Sequence, residues 1–505
     1  MGTLLLLLLV GAMVAAQNCT DATQSTSLST TQPVVLFRRC TVISSAVIVV
    51  NTHSTRAATV DHCAFSGDSH LYVNGTTTPS ANRVVVEVIH SSFLEAGVKF
   101  GGIFSNTSLT LRNNTVTITH RIDMGQLSDD VAIFLSGLTL MNNTSFLVIE
   151  NRISTTTVST YAIAVFATVI SLLHSSTFIL SYNNMTTTSN NSSSFPLYFS
   201  NSITVTSSNW SIAYNNVNSN SNSGTYVYAL YFASSITVTS SNWFMTNNNM
   251  TSNGTATFVY SWYFFGLITV TSSNWFMTNN NMNSNGTATA FTIKVMTVTV
   301  TSSTWFISYN NLSATSHASS NARTLSFSLL NVATSNWSIS YNNMSATSVT
   351  STANGLNFDD LVTVTSSNWS ITYNNMNSIG SNAYGLTFSN PITVTSSNWS
   401  IAYNNMNSNG RGSHSYSLTL FSTINVTSSN WSITYNNMSV IGNTIAVTLY
   451  FYNQTVTSSN FSISHNNMKA TSSSGRAFGL QYLFCFMTSS SWSFSYNSKL
   501  GDWFR

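Results

Sequence analysis

The chain has 505 residues, of which 43% are hydrophobic and 12% aromatic but only 5% charged, whereas a typical soluble protein has about 25% charged residues. The 15 basic and 12 acidic residues give a net charge of +3, and no basic cluster exceeds the pair Arg38-Arg39. Nucleic acid is therefore not an expected partner. The high content of aromatic and β-branched residues argues against a disordered chain.

Residues 1–16 are typical of a secretory signal peptide. An apolar run from Leu4 to Val10 precedes small residues that end at Ala16, and we predict cleavage before Gln17. The alternative, a retained anchor, requires a longer apolar span. Export also agrees with the many Asn-x-Ser/Thr sequons, which are candidate glycosylation sites in a secreted protein. These candidates are Asn74, Asn106, Asn142, Asn209, Asn336, Asn368, Asn398 and Asn430.

Residues 17–105 are more charged and less regular, and we predict an N-terminal cap with irregular first coils. Cys40 and Cys63 occupy equivalent places in the similar segments R-C-T-V and H-C-A-F. Stacked strands lie about 4.8 Å apart, close to the separation that a disulfide accepts. The sequence therefore predicts a disulfide between these two cysteines. His62 and His90 are expected to stack at one coil position, and we recognise no metal-ligand spacing and no cofactor motif.

Residues 106–498 form the repetitive region. Ten variants of T-V-T-S-S-N-W-S-I-x-Y-N-N-M lie between Asn201 and Tyr496, with aromatic anchors 30 to 33 residues apart. A fixed period of this length predicts a solenoid of stacked structural units. The anchors are Trp210, Trp243, Trp275, Trp305, Trp337, Trp369, Trp399, Trp431, Phe461 and Trp492. We expect those from Trp210 to Trp431 to stack inside the solenoid.

Each repeat is predicted to contain three short strands, because apolar and polar residues alternate with a period of two. In the second strand, Trp210, Ile212 and Tyr214 are expected to share the buried face. Ser207-Ser208 is predicted to bend the chain before this strand. The pair Asn215-Asn216 and its equivalents are predicted to turn the next corner and to form a ladder of side-chain amides.

The apolar segment from Tyr161 to Leu173 is also expected to be buried strand. It has 13 residues, fewer than the roughly 20 that a membrane-spanning helix requires. Residues 499–505, the C-terminal tail, contain neither a stop-transfer helix nor a lipid-anchor motif. Membrane association therefore has no clear C-terminal basis in this sequence.

The phrase I-S-Y-N-N-M resembles the repeat of right-handed parallel β-helix proteins of the pectin-lyase-like type. In their low-charge Asn/Ser/Thr repeats, residues 100–498 also resemble surface proteins of kinetoplastid protists of the dispersed-gene-family type, which are described as membrane-associated. Three short strands in each coil of roughly 31 residues already predict an all-β parallel β-helix, in which strands of successive coils stack in register. The pectin-lyase-like resemblance implies that this β-helix is right-handed. The resemblance to kinetoplastid proteins implies display at the cell surface.

The pectin-lyase-like resemblance raises the alternative of a carbohydrate-active enzyme. From residue 152 onward the only carboxylates are Asp359, Asp360 and Asp502, whereas a glycoside hydrolase needs a positioned pair. Adjacent strand residues point to opposite faces, and the Asn-Thr-Asp, Gly-His-Gly and Arg-Ile-Lys segments of pectin hydrolases are absent. Lys294 and Arg323 are isolated in the sequence. We therefore expect no catalytic site, with Asp359 and Asp360 as the alternative catalytic residues.

A second alternative comes from the paired threonines. Pairs such as Thr204/Thr206 and Thr363/Thr365 are predicted to form two hydroxyl columns, similar to the Thr-x-Thr face of ice-binding β-solenoids. Threonine is also simply common at exposed strand positions. The favoured hypothesis is a secreted or cell-surface β-helix glycoprotein with a structural, adhesive or surface-coat role. Its expected partners are glycans or other extracellular molecules.

Overall fold

The computed structural model describes residues 28–29, 34–42, 47–53, 55–76, 83–119, 130–318 and 320–500. The described residues contain β-strands and no helix. Strands of successive coils pair in parallel and in register, so that Asn336–Ser340 pairs with Asn368–Thr372 and Asn343–Ser348 pairs with Asn375–Gly380. The predicted parallel β-solenoid is therefore confirmed, with coils about 32 residues apart. The predicted signal peptide and residues 501–505 of the tail lie outside the described residues.

Each coil contributes to three sheets. We call them the tryptophan sheet, which contains the N-W-S-I segments, the methionine sheet, which contains the N-M segments, and the third sheet, which contains the rest of the coil. The chain divides into two compact units, residues 1–244 and 245–505. The division falls within the strand Asn242–Thr246.

In the first unit, the tryptophan sheet contains Val34–Arg38, Ala57–Asp61, Val84–Ile89, Thr107–Arg112, Ser145–Ile149, Thr177–Ser181 and Asn209–Ala213. The methionine sheet contains Thr41–Val42, Ala64–Ser66, Ser92–Leu94, Thr115–Ile118, Arg152–Thr157, Asn184–Ser189 and Asn216–Ser221. The third sheet contains Leu28–Ser29, Val47–Asn51, His70–Asn74, Gly97–Ser105, Asp130–Met141, Ala162–Ala167, Ile170–Leu173, Ser194–Phe199, Ile203–Thr206, Tyr226–Phe232 and Ile236–Thr239.

In the second unit, the tryptophan sheet contains Asn274–Thr278, Thr304–Ser308, Asn336–Ser340, Asn368–Thr372, Asn398–Ala402, Asn430–Thr434, Asn460–Ser464 and Ser491–Ser495. The methionine sheet contains Asn249–Gly254, Asn281–Gly286, Asn311–Ser316, Asn343–Ser348, Asn375–Gly380, Asn405–Gly410, Asn437–Gly442, Asn467–Ser472 and Ser498–Leu500. The third sheet contains Phe258–Thr271, Thr289–Thr301, Ala322–Ala333, Thr352–Phe358, Val362–Thr365, Asn382–Phe388, Ile392–Thr395, His414–Thr427, Ile445–Thr457 and Arg476–Thr488.

The core of each unit contains a stack of aromatic rings, as predicted. In the second unit, Trp369 is 1% exposed. Its ring centroid lies 4.9 Å from that of Trp337 and 3.5 Å from that of Trp399. In the first unit, Phe178, Trp210 and Trp243 stack at 4.2 and 4.7 Å. Register pairing places equivalent side chains over one another, and stacked aromatic pairs add to the free energy gained by burying their surface.

Two corners in each coil require left-handed backbone. The predicted bend at Ser207-Ser208 is confirmed, since Ser207 has φ 48°. At the next corner, however, the left-handed residue is the tyrosine that precedes the Asn pair, such as Tyr214 with φ 57°. Tyr214 is 50% exposed, so the prediction that it shares the buried face of Trp210 is wrong. The change of backbone conformation at the corner rotates its side chain outward.

The Asn pairs form two ladders rather than one. In the pair Asn374-Asn375, the first residue is buried and donates from Nδ2 to Asn404 Oδ1 of the next coil at 3.0 Å. The second is exposed and donates to Asn343 Oδ1 of the preceding coil at 2.8 Å. The predicted amide ladder is therefore confirmed, and the exposed ladder accompanies it.

The apolar segment from Tyr161 to Leu173 folds as predicted, as the strands Ala162–Ala167 and Ile170–Leu173. All six residues of the first strand are buried. Nearer the N-terminus, strands from Val34 onward also pair with strands of the next coil, and they belong to the same three sheets. The expectation of an N-terminal cap stays a prediction.

Candidate functional site

The serine and asparagine side chains of the repeated segment form hydrogen bonds within the solenoid, whereas buried indole groups such as Trp369 Nε1 have no partner among the described residues. Its Trp and Ile side chains are buried, and its Ser and Asn side chains bond to neighbouring coils. Ser335 N, for example, donates to Ser367 Oγ at 3.0 Å. The stretch between the methionine-sheet strand and the next Thr-x-Thr segment instead differs from coil to coil. Specific chemistry is therefore expected in this stretch, which belongs to the third sheet.

Two columns of side chains from this stretch, most of them buried, form a layer on one side of the third sheet of the second unit, which we call the variable face. It also includes Asp359 and Phe421, which contact these columns. Tyr416 of the first column lies 5.7 Å from Tyr450 of the second between ring centroids, so both columns lie on the same side of the sheet. Parallel register aligns Phe291, Arg323, Asn354, Tyr384 and Tyr416 in the first column, and Lys294, Ser326, Asn357, Thr387, Thr419 and Tyr450 in the second.

An ion pair occupies one end of the variable face. Arg323 Nη1 donates to both carboxylate oxygens of Asp359, at 2.7 and 2.6 Å. Ser326 Oγ donates to the same carboxylate at 3.0 Å and Asn357 Nδ2 donates at 2.5 Å. The side chains of Arg323 and Asp359 are 18% and 28% exposed. Such a half-buried, multiply bonded pair fixes the orientation of both groups.

Lys294 adds a second cation beside this pair. Its Nζ lies 4.9 Å from the ring centroid of Phe291, and the Arg323 guanidinium lies 5.4 Å from the same ring. Burial lowers the pKa of Lys294, as does the charge of Arg323, while Asp359 acts in the opposite direction. The expectation that Lys294 and Arg323 are isolated is therefore wrong in three dimensions, because adjacent strands bring them together.

Aromatic side chains occupy the other end of the variable face. The rings of Tyr384 and Tyr416 are parallel, with centroids 5.5 Å apart, and Phe421 contacts both of them edge-on. Burial raises the pKa of Tyr384. Burial, together with the neighbouring Tyr384 and Tyr450, raises the pKa of Tyr416 to about 12. Both phenols therefore stay neutral hydrogen-bonding groups at physiological pH.

Between these two ends lie polar atoms with no hydrogen-bond partner among the described residues. They are Arg323 Nε, Asn354 Oδ1, Asn357 Oδ1, Thr387 Oγ1 and Thr419 Oγ1. The Asn354, Asn357, Thr387 and Thr419 side chains are at most 4% exposed. A buried polar group without a partner costs about 1–3 kcal/mol, and native proteins contain few of them. Their concentration on one face indicates that water or a ligand supplies the missing hydrogen bonds.

The two carboxylates of the enzyme alternative have different environments. Asp359 carries the hydrogen bonds described above, whereas Asp360 is exposed and its Oδ1 accepts a hydrogen bond from Leu361 N at 2.8 Å. The structure therefore places only Asp359 in the variable face. A role for either residue in catalysis stays a prediction.

A polar groove of about 400 Å³ follows the corner between the third sheet and the tryptophan sheet of the second unit. Its lining includes three sequon residues, Asn336, Asn368 and Asn398. Asn368 Nδ2 donates to Asn336 Oδ1, and Asn398 Nδ2 donates to Asn368 Oδ1, both at 3.0 Å. Asn430 continues this row. A glycan on one Nδ2 would replace a hydrogen atom of this ladder, and glycosylation at these sites stays a prediction.

The other candidate sequons lie in the first unit. Asn74 Nδ2 donates to Asn51 Oδ1 at 3.2 Å, and Asn142 Nδ2 donates to Ser105 Oγ at 2.9 Å. Asn106 is half-buried in left-handed backbone with φ 52°. Asn209 is exposed and accepts a hydrogen bond from Asn242 at 2.9 Å. Their glycosylation also stays a prediction.

Cys40 and Cys63 lie in successive coils, as expected from their sequence context. Both side chains are 2% exposed, and Ala64 N donates to Cys40 O at 2.7 Å. The structure records both residues as thiols, and burial raises the pKa of Cys63 to about 12. The disulfide stays a prediction. Cys485 is half-buried beside the exposed Phe484 and Phe486.

The outward threonines form the predicted columns only in part. Thr363 pairs with Thr393, and Thr365 pairs with Thr395. The neighbouring positions of the first column are Asn331 and Asn425. The Thr columns are therefore interrupted in the second unit.

Sequence reasoning missed most of the variable face. The signal that could have found it is the repeat itself, because Phe291, Arg323, Asn354, Tyr384 and Tyr416 recur at nearly the coil period. Their residue types differ from coil to coil, so they do not form a recognisable motif.

No protein-family model matches this chain, and no curated protein sequence matches it significantly. Among the residues that the structure describes, no helix is long and apolar enough to cross a membrane. The functional argument therefore rests on the geometry of the variable face.

Proposed function

We propose that this protein is a secreted or cell-surface β-solenoid that binds carbohydrate through its variable face. The repeated segment serves as a rigid scaffold, and the protein has an adhesive or surface-coat role. The cluster of nearly buried polar atoms without partners is the observation that carries this proposal.

The chemistry of the variable face suits a sugar. Sugars offer hydroxyl groups that both donate and accept hydrogen bonds, together with apolar C–H faces. The variable face combines the Asn357 amide and the Thr387 and Thr419 hydroxyls with the rings of Tyr384 and Tyr416. A mostly apolar surface with a few placed polar groups is the usual composition of small-molecule sites.

Two features of the sequence support an extracellular location. Residues 1–16 have the pattern of a secretory signal, and sequons are frequent in the repeats. Both features also agree with the resemblance to right-handed β-helix surface proteins of kinetoplastid protists. Glycans and other extracellular molecules are therefore the proposed partners.

The test is a glycan array probed with the full-length protein, followed by titration calorimetry with any glycan that binds. The double variant Thr387→Val, Thr419→Val removes two hydroxyls that have no partner among the described residues, and it keeps the shape of both side chains. We expect glycan affinity to fall about tenfold, since two hydrogen bonds of about 0.5–1.5 kcal/mol each are lost.

The matched control is Thr363→Val, Thr393→Val, which changes outward threonines of the same sheet outside the variable face. This control should leave the affinity unchanged. Unchanged affinity in the Thr387/Thr419 variant would refute the assignment of the variable face. The absence of any bound glycan would leave a structural coat role in place of adhesion.

A carbohydrate-active enzyme is the second candidate, and one observation favours it. Lys294 has a lowered pKa beside Arg323 and Asp359, and a polysaccharide lyase requires a base near a cation. Incubation of the protein with acidic polysaccharides tests this candidate through the appearance of unsaturated products. Product formation that disappears in Lys294→Met would establish a lyase, whereas no product with any polymer would argue against it.

A further inference from the structure

The first unit contains a second group of polar side chains, outside the variable face. His62 and His90 occupy the corners that follow the tryptophan-sheet strands Ala57–Asp61 and Val84–Ile89. Both have left-handed backbone, with φ 52° and 51°. Because successive coils place equivalent residues over one another, the two rings lie side by side with centroids 4.9 Å apart. The expected stacking of the two histidines is therefore confirmed.

Asp61 brings a carboxylate to the same point. Its Oδ1 lies 2.5 Å from His62 Nδ1 and 3.2 Å from His90 Nδ1. All three potential ligand atoms lie within 4.8 Å of one another. The Asp61 side chain is 15% exposed, whereas His62 and His90 are 55% and 45% exposed. The group is therefore anchored on its carboxylate side and open to solvent on its imidazole side.

We propose that Asp61, His62 and His90 bind a divalent transition-metal cation of the zinc type. Two imidazole nitrogens and one carboxylate oxygen are a ligand set that zinc uses, with water in the remaining position. Calcium and magnesium require several oxygen ligands, so the two nitrogen ligands select against them. This proposal is independent of the proposed function.

The surroundings of Asp61 keep its carboxylate ready for a cation. Arg38 Nε lies 3.4 Å from Oδ2, the oxygen that does not face the histidines. This contact holds the carboxylate in the orientation in which Oδ1 faces both imidazoles. Arg38 also places positive charge near the site, so we expect moderate rather than tight binding.

Titration calorimetry of the full-length protein with zinc chloride, in a buffer that does not chelate metals, tests this proposal. We expect one zinc ion per chain and no comparable heat with calcium or magnesium chloride. His90→Asn should weaken zinc binding by more than the roughly 10–100-fold that loss of a supporting residue typically causes, because it removes a ligand. Asparagine suits this corner, since Asn113 occupies the next equivalent corner with φ 54°.

The matched control is His465→Asn. His465 occupies the equivalent corner of the second unit with φ 56°, between the rings of Tyr435 and Tyr496 at 4.6 and 4.9 Å. It should leave zinc binding unchanged. A zinc-dependent rise in Tm, present in the native chain and in His465→Asn but lost in His90→Asn and His62→Asn, provides a second measurement. Zinc binding that persists in both His62→Asn and His90→Asn, or no binding by the native chain, would overturn the proposal.

Discussion

The buried Asn ladder and the variable face lie in the same coils, yet their buried polar atoms differ in hydrogen bonding. Asn374 donates to Ile339 O at 2.9 Å and to Asn404 Oδ1 at 3.0 Å. Asn357 Oδ1, nearly as buried, has no partner among the described residues. The ladder therefore uses its hydrogen bonds for stability, whereas the variable face retains hydrogen-bonding capacity that no described residue uses.

The third sheets of the two units show a related contrast. In the first unit, Lys99 Nζ lies 5.1 Å from the ring centroid of Phe134, and register continues this column through Phe166 and Tyr198. In the second unit, register instead aligns Lys294 with Tyr263 on one side and with Ser326 and Asn357 on the other. A lysine over an aromatic ring occurs in both, but the ion pair and the unsatisfied amides described here belong to the second unit. Side chains of this sheet can therefore vary without changing the coil.

The largest effect is expected from the core. Trp369→Ala should lower the free energy of unfolding of the second unit by about 3–5 kcal/mol, because it leaves a cavity in the aromatic stack. The measurement is the urea midpoint followed by tryptophan fluorescence. Ser370→Ala, which changes the next residue on the outward side of the strand, should have little effect. Equal effects of the two changes would contradict the buried stack.

A smaller effect is expected at high pH from Tyr416 of the variable face. Its pKa is raised from 10 to about 12, so the folded state retains the phenol proton more strongly than the unfolded state does. The resulting stabilisation is complete below pH 10 and is lost as the pH rises to about 12. It amounts to at most about 3 kcal/mol, because solvent near the ring reduces the effect. Urea denaturation of the native chain and of Tyr416→Phe at increasing pH measures it. The same decline in both proteins would show that Tyr416 is not its source.

Removal of one amide from the buried ladder should cost about 1–3 kcal/mol. Asn374→Ala leaves Ile339 O without its side-chain donor and Asn342 N without its acceptor, and buried groups that lose their partners carry this penalty. The matched change Asn375→Ala affects the exposed ladder and should cost less than about 0.5 kcal/mol. Urea midpoints of the two variants should therefore differ, and similar midpoints would show that burial does not separate the ladders.

The smallest effect is expected at the exposed corner. Tyr373→Asn should change stability by less than about 0.5 kcal/mol, because Asn247 and Asn279 occupy equivalent corners with φ 56°. Tyr373→Val removes the same ring but places a β-branched residue in left-handed backbone, at a cost of about 1–2 kcal/mol. Thermal unfolding of both variants measures this difference. Tyr373 stacks on Tyr341 and Tyr403. If the Tm of Tyr373→Asn were as low as that of Tyr373→Val, this stacking, and not the backbone conformation, would be the main contribution of Tyr373 to stability.

The periodic part of the fold could be predicted because residues that recur at the coil period lie over one another when the coils stack. The spacing of Trp337, Trp369 and Trp399 was sufficient to expect parallel register and an aromatic core. The orientation of Tyr373 could not be predicted in this way. Strand alternation continues through it in the sequence, while the structure changes to left-handed backbone there, with φ 57°.

The candidate site was predictable only at Asp359. Arg323 and Asp359 are separated by 36 residues, which is more than one coil, and their side chains meet because Asp359 follows the strand that pairs with Ala322–Ala333. The Asp61–His90 contact spans 29 residues and likewise depends on stacking. A pattern search detects identical residues at the coil period but not complementary ones.

The sequence by itself therefore determined the strands, the coil period and the ladders, because these follow from local alternation repeated at a constant interval. The tertiary structure decided which unlike residues become neighbours, namely Arg323 with Asp359 and Asp61 with His62 and His90. The physical reason is that stacking converts a separation of about one coil into a distance of about 4.8 Å. Bends within each coil then decide which of the stacked side chains face the same side.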